Sequence, residues 1–542
     1  MVRTRFVLIV CLLVTAVAAA QEHTHKTAHP EKLGTVHFDT SCAPAAQEQI
    51  DRAVALLHSF DFQRAIDGFT AAATADPTCG IADWGVALSL WTNPFAVGIK
   101  PEAQIRRGSE AALRAKSAGA KTERERAYID AVSRLYDDFE HTPQPRRLTA
   151  YRDAMGALAA KFPQDSEAAI FYALALAFSA DPADKSYANQ LKAGAMLEQL
   201  FAKYPNHPGL AHYIIHSYDV APLAKQAVDA ARRYAEIAPS APHALHMPSH
   251  TFTRVGYWDE SIAANIAAAA ASKAEGATVE ELHASDYETY AYLQSGRDRD
   301  ARRIVESLPE IATRFDPNTI SAGGGGPSVA YFALAAIPAR YALERGAWAE
   351  AAKLAPRESP FPHVDAITYF ARAVGAARGG DAAAARAALD ALPPLRDRLT
   401  EAGEPYWADQ VDIQRLVASA WFAFAENRHT DALAALRTAV EREDATEKAA
   451  VTPGPLAPAR EMLGEMLLQL KQPAQALKEF AATLEKEPNR FRSIAGAMQA
   501  ATAAGDSVAA KKYAAQLLKT AAHADKPERQ EVQIARRIVS ER

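Results

Sequence analysis

Beyond residue 46 almost the whole chain reads as helix, cut at short intervals by turn-forming breakers, and that alternation leaves few folds open. Runs of β-branched residues with a period of two are nearly absent. Helical stretches stop at "ADPTCG", "KYPNHPG", "APSAPH", "LQSGRD", "RGGD", "KQP", "EKEPNR" and "AAGD". Two helices fit between breakers, so the unit is a helix pair. A chain of 542 residues would ordinarily divide into several domains. A recurring unit replaces that division with a stack of like units. The recurrence is plainest near the C-terminus. "LGEMLLQLKQPAQALKEFAATLEKEP" carries Leu463, Gly464, Ala476, Phe480 and Pro488, and Ala510 follows Ala476 by 34 residues.

This pattern resembles the tetratricopeptide repeat (TPR). There a small residue lets helix A lie close to helix B, an alanine opens helix B, an aromatic packs behind it and a proline follows the turn. The same frame fits Ala65, Phe69, Ala72 and Pro77, then Ala227, Ala231, Tyr234 and Pro239. It fits again around Trp258 and Ser261, and at Ala301, Ala351, Ala385 and Ala432. Met498 stands where Gly464 stands one repeat earlier, so the last unit is expected to pack more loosely or to act as a cap. The resemblance covers most of the chain. It implies an all-α, TPR-type α-solenoid of antiparallel helix pairs wound into a right-handed superhelix. The expected segments are an N-terminal TPR-like region at 41–205, least regular between 95 and 200, and central His-rich repeats at 206–320. A Gly-rich loop at 321–327 and C-terminal repeats at 328–542 follow. A narrower resemblance is to secreted bacterial TPR proteins with a His-rich central pair of repeats and a paired-cysteine first repeat. It rests on "GLAHYIIHSYD", "HALHMPSHTFTRVGYWDESIAAN" and the stretch from "SCAPAAQEQ" to "CGIADWG". It supports fold and export and carries no activity with it.

Residues 1–20 read as a secretory signal peptide. Arg3 and Arg5 precede an apolar run that ends in Ala18, Ala19 and Ala20, with cleavage expected near Ala20. That places the mature chain in the periplasm or outside the cell, without a transmembrane span. Residues 21–40, with His23, His25 and His29, read as a disordered lead-in. Once Cys11 leaves with the signal, Cys42 and Cys79 remain. In an oxidising compartment such a pair is expected to form a disulfide worth about 3 kcal/mol. The alternative is two separate buried thiols. A net charge of -5 gives no basic footprint for nucleic acid.

The histidines are concentrated in two stretches, "HPGLAHYIIHSYD" at 207–219 and "HALHMPSH" at 243–250. His212 and His246 are one repeat length apart, as are His216 and His250. Each pair has i, i+4 spacing, so its rings share one helix face. The TPR resemblance implies that this face lines the concave groove. Ser249 and Ile215 occupy the neighbouring slot toward helix B. The candidate metal ligands are His212, His216, His246 and His250, with His243, His283, Asp219 and Asp286 as further ligands or supports and Tyr290 as a groove residue. This donor set suits Zn, Cu or Fe rather than Mg or Ca. His207, beside Pro208, is expected to be a cap or loop residue. Pro248 leaves two geometries open. A helix starting near Met247 would leave His243 and His246 on a loop; a kinked helix would still deliver His246 inward.

Two functions follow as expectations. One is an exported scaffold that binds a protein or peptide in its concave groove. The other is a metal-binding protein, or a metal-dependent enzyme, built on the His cluster. A third possibility is that the histidines merely pack. No serine-hydrolase elbow, phosphate loop or dinucleotide fingerprint is present, and the sequence assigns no catalytic residue.

Overall fold

The computed structural model describes residues 31–318, 323 and 326–541. The signal peptide, its cleavage site, the first half of the lead-in and most of the Gly-rich loop lie outside the described residues. Among the described residues every regular element is helical, and successive helices pack as antiparallel neighbours. Pro44–His58 pairs with Phe62–Ala75, Gly80–Leu90 with Glu102–Ala118, and so on to Phe491–Ala503 with Ser507–Thr520. Among the described residues no helix is long and apolar enough to cross a membrane.

The anchor residues do the packing that their spacing implies. Ala65, Phe69 and Ala72 are fully buried on one face of their helix. A Cβ on Gly85 of the next helix would come within 2.4 Å of the Phe69 ring. Near the C-terminus Phe480 is held in the same way between Gly464 and Gly496. Met498 is fully buried with Phe491, Ile494, Leu517 and Val532, so the last unit closes around a larger residue.

Residues 31–40 correct the expectation of a lead-in disordered to residue 40. They form an extended strap. Leu33 and Phe38 are buried, the Thr35 amide donates to the Asn206 carbonyl at 2.9 Å, and Phe38 stacks on Trp84. Two well-placed apolar side chains suffice to dock a polar segment. At Gly34 the backbone has φ +85°, and a Cβ would lie 2.6 Å from the Asn206 carbonyl oxygen, so only glycine fits.

Cys42 and Cys79 are joined by a disulfide, with their Cα atoms 5.2 Å apart. It ties the strap's end to the start of Gly80–Leu90. Replacing both cysteines by serine is expected to cost about 3 kcal/mol, read as a lower urea midpoint in the variant. An unchanged midpoint would mean that the bridge constrains nothing the fold does not already hold.

The array also returns on itself. The Trp258 indole donates to the Asn489 carbonyl at 2.9 Å, and the Phe491 amide donates to Gln294 at 2.9 Å. Buried ion pairs accompany this closure. Arg340 meets Asp286, and Arg490 meets both Glu344 and Glu461.

Candidate metal centre

Helix Pro208–Ser217 begins with proline in its first turn, where no backbone donor is lost. His207 stands at its N-cap position without a side-chain capping bond, and its Nε2 instead meets Glu167 at 2.9 Å. One turn in, the His212 Nδ1 contacts the His58 carbonyl at 2.6 Å. A carbonyl only accepts, so Nδ1 carries the proton and Nε2 keeps its lone pair. That Nε2 is buried without a partner. His216 stacks on Phe95, with centroids 4.0 Å apart, and its Nε2 is likewise buried and unpartnered. His243 lies edge-on to His212, and neither of its nitrogens has a partner. These three rings can each offer a nitrogen, all within 4.8 Å of one another.

Pro248 produces the kinked alternative. Helices Pro242–His246 and Pro248–Val255 meet at Met247, whose backbone is itself helical (φ -55°, ψ -33°). The chain keeps its direction while the hydrogen-bond ladder breaks. His243, His246 and His250 therefore all point the same way.

His246 and His250 form a second group with His283 from helix Thr278–Gln294. The Asn265 amide nitrogen donates to the Ser261 carbonyl at 2.7 Å, which turns its oxygen toward His246 Nδ1 at 2.7 Å. His250 Nδ1 faces the Asp219 carboxylate at 3.1 Å. Both Nδ1 atoms are thus donors, and both Nε2 atoms present lone pairs. Those two Nε2 atoms stand 3.1 Å apart. Two nitrogens on one ion, each bonded at about 2.0 Å, would lie roughly 3.3 Å apart in tetrahedral geometry. Histidine ligands commonly donate their other N–H to a carboxylate, carbonyl or amide oxygen, as His212, His246 and His250 do here.

Burial disfavours the protonated rings. It lowers His212 and His283 to about 3 and holds His216, His243 and His246 well below the usual imidazole range. Burial alone would raise Asp219, but Lys448, Arg254 and His250 outweigh it and keep the carboxylate ionised. Burial and Arg254 together bring Lys448 down to about 8.

The six histidines of the two groups are at most 6% exposed. The inner wall is roofed by the chain itself. Tyr287 donates to the Ala450 carbonyl at 2.8 Å, and Asn93 donates to the Gly323 carbonyl at 2.8 Å. Gly323 presses on His243, where a Cβ would sit 2.1 Å from Nδ1. Beneath this roof is a cavity of about 30 Å³ bordered by His216, His243, His250 and His283.

The predicted set is thus regrouped. The four core histidines fall into two neighbouring triads, joined by His243 and His283, and Asp219 supports His250. Asp286 is not a ligand: both its oxygens face Arg340, the nearer at 2.8 Å. Tyr290 does not line a groove. It is fully buried, with its hydroxyl 3.1 Å from Arg490 and its ring against Trp258. Both are covered by segments that return from far along the sequence.

No family model matches the chain, and no curated protein matches it. Among solved structures, "Human IFIT1 dimer with m7Gppp-AAAA" aligns at 13% identity over 89% of this chain and 96% of that one, with a TM-score of 0.37. "Crystal structure of APC/C hetero-tetramer Cut9-Hcn1" aligns at 13% identity over 91% and 90%, with a TM-score of 0.34. Likenesses this distant carry no argument about function.

Several site residues had little signal in the sequence. Asn265, Phe95 and Lys448 belong to elements whose proximity no spacing announces. His363 reaches the same cavity from the C-terminal repeats, stacked on Trp407 at 4.1 Å with its Nδ1 unpartnered. It follows Pro362 as His243 follows Pro242, the only hint available. His58 joins His207 on Glu167 and contacts the Tyr213 hydroxyl. That third cluster is already saturated by its own hydrogen bonds, apart from His207 Nδ1.

Proposed function

We propose that this chain is an exported metal-binding protein whose two His triads, His212/His216/His243 and His246/His250/His283, hold a pair of transition-metal ions. The observation that carries this reading is the pair of Nε2 lone pairs of His246 and His250, 3.1 Å apart in a buried wall. Two lone pairs at that distance repel unless a cation lies between them, and burial works against a proton. The unpartnered nitrogens of His212, His216 and His243 give the neighbouring triad the same need. Export is supported by the leading segment and by the Cys42–Cys79 bridge, which suits an oxidising compartment. The test is metal content by elemental mass spectrometry, on untagged protein from the exported fraction and after reconstitution with Zn, Cu or Fe. About two equivalents per chain are expected. Absence of metal after all three reconstitutions overturns the reading.

Partner binding is the second reading, and one feature favours it. An open groove of about 880 Å³ runs past Arg124, Lys161, Phe162, Lys203 and Tyr204. It could take an extended segment of a protein partner, whereas the roofed wall of the His triads leaves no room for a peptide.

A further inference from the structure

Resting on that reading, we infer that the pair of triads is a copper(I) site, with a coordination position open to a neutral ligand of two or three heavy atoms. Two observations converge. The first concerns charge. All six donors of the triads are imidazoles, so the ligand set brings no negative charge. The nearby carboxylate, Asp219, is already engaged by Arg254 at 2.8 Å, by His250 at 3.1 Å and by Lys448 at 3.5 Å. Two divalent ions would add four positive charges to a buried wall that already contains a guanidinium and a lysine. Two copper(I) ions add two. Each further uncompensated buried charge is costly, so the lower oxidation state is favoured. Imidazole donors suit copper, and Met247 brings a thioether side chain to the same wall, a donor type that selects copper(I).

The second observation is the cavity. Its volume, about 30 Å³, exceeds the ~10–15 Å³ that one water needs and falls far short of an organic substrate. Val97, Val329, Phe332, Trp407 and Val451 make most of its wall apolar, and no carboxylate among the described residues borders it. A zinc-bound hydroxide would find the His363 imidazole as a base but no balancing anion there. A small neutral molecule meets no such penalty. Three nitrogen donors per ion leave a position free for it.

The test uses the full mature chain, loaded anaerobically with copper(I) and then exposed to carbon monoxide. Two copper ions per chain are expected, together with an infrared band of copper-bound carbon monoxide that shifts with ¹³CO. Competition with Zn²⁺ is expected to leave copper bound. Two tightly held zinc ions that copper(I) cannot displace would overturn this inference and leave the metal-protein reading intact. So would two copper ions with no carbon monoxide band. Failure to hold any metal would overturn both.

Discussion

Replacing Arg490 by methionine is expected to destabilise the folded chain by about 3–5 kcal/mol, the cost of removing one partner from a buried ion pair. Arg490 is fully buried. It donates to both oxygens of Glu461, at 2.8 and 2.9 Å, and lies 2.8 Å from Glu344. Methionine fills similar volume but removes the ion-pair partner of the buried Glu344 and leaves Glu461 with only the more distant Arg492, at 3.5 Å. The measurement is the urea midpoint of the variant against the wild type. Adding Glu344→Gln and Glu461→Gln is expected to restore part of the loss by removing the stranded charges. A single variant within about 0.5 kcal/mol of wild type, the range of ordinary surface changes, would mean that water reaches these carboxylates and that the closure does not depend on the pair.

The second large effect concerns the division of the histidines into two groups. His216→Ala is expected to lower bound metal from about two equivalents to about one, and His250→Ala to do the same at the other triad. The double variant is expected to hold none. Circular dichroism would show whether each variant stays helical. If the histidines only packed, the substitutions would change stability and leave metal content alone. Asp219→Asn keeps all six donors and removes the charge behind His250. It is expected to weaken metal binding by about 10–100-fold, the usual effect of losing such a support. Equal affinity would confine Asp219 to its ion pairs with Arg254 and Lys448.

The sequence was informative wherever a single helix decides the outcome. The 34-residue recurrence located the alanine and aromatic anchors, and the i, i+4 spacing put His212 with His216 and His246 with His250 on common faces. It was silent wherever two distant segments meet. Asp286 has the right position on its helix for a ligand, but Arg340 lies across from it. Tyr290 has the right position for a groove, but Arg490 and Gly454 cover it. His363 joins the cavity from another part of the array. A repeat frame specifies which way a side chain points from its own helix. What it meets there depends on how tightly the array winds, and that is set by many small packing choices at each helix pair.

The closure between residues near 258 and 489 has a consequence for how the chain reaches its final form. A linear repeat array can fold step by step during synthesis, because each unit needs only its neighbour. Here a nascent chain that ends before Lys448 already carries all six histidines of the two triads, yet it lacks the segment at Ala450 and Thr452 that roofs them. Such contacts span more than 160 residues, and pairings that distant form slowly. The site therefore stays open on this side until residues 450–452 have been made and have docked, and its closure reports that docking.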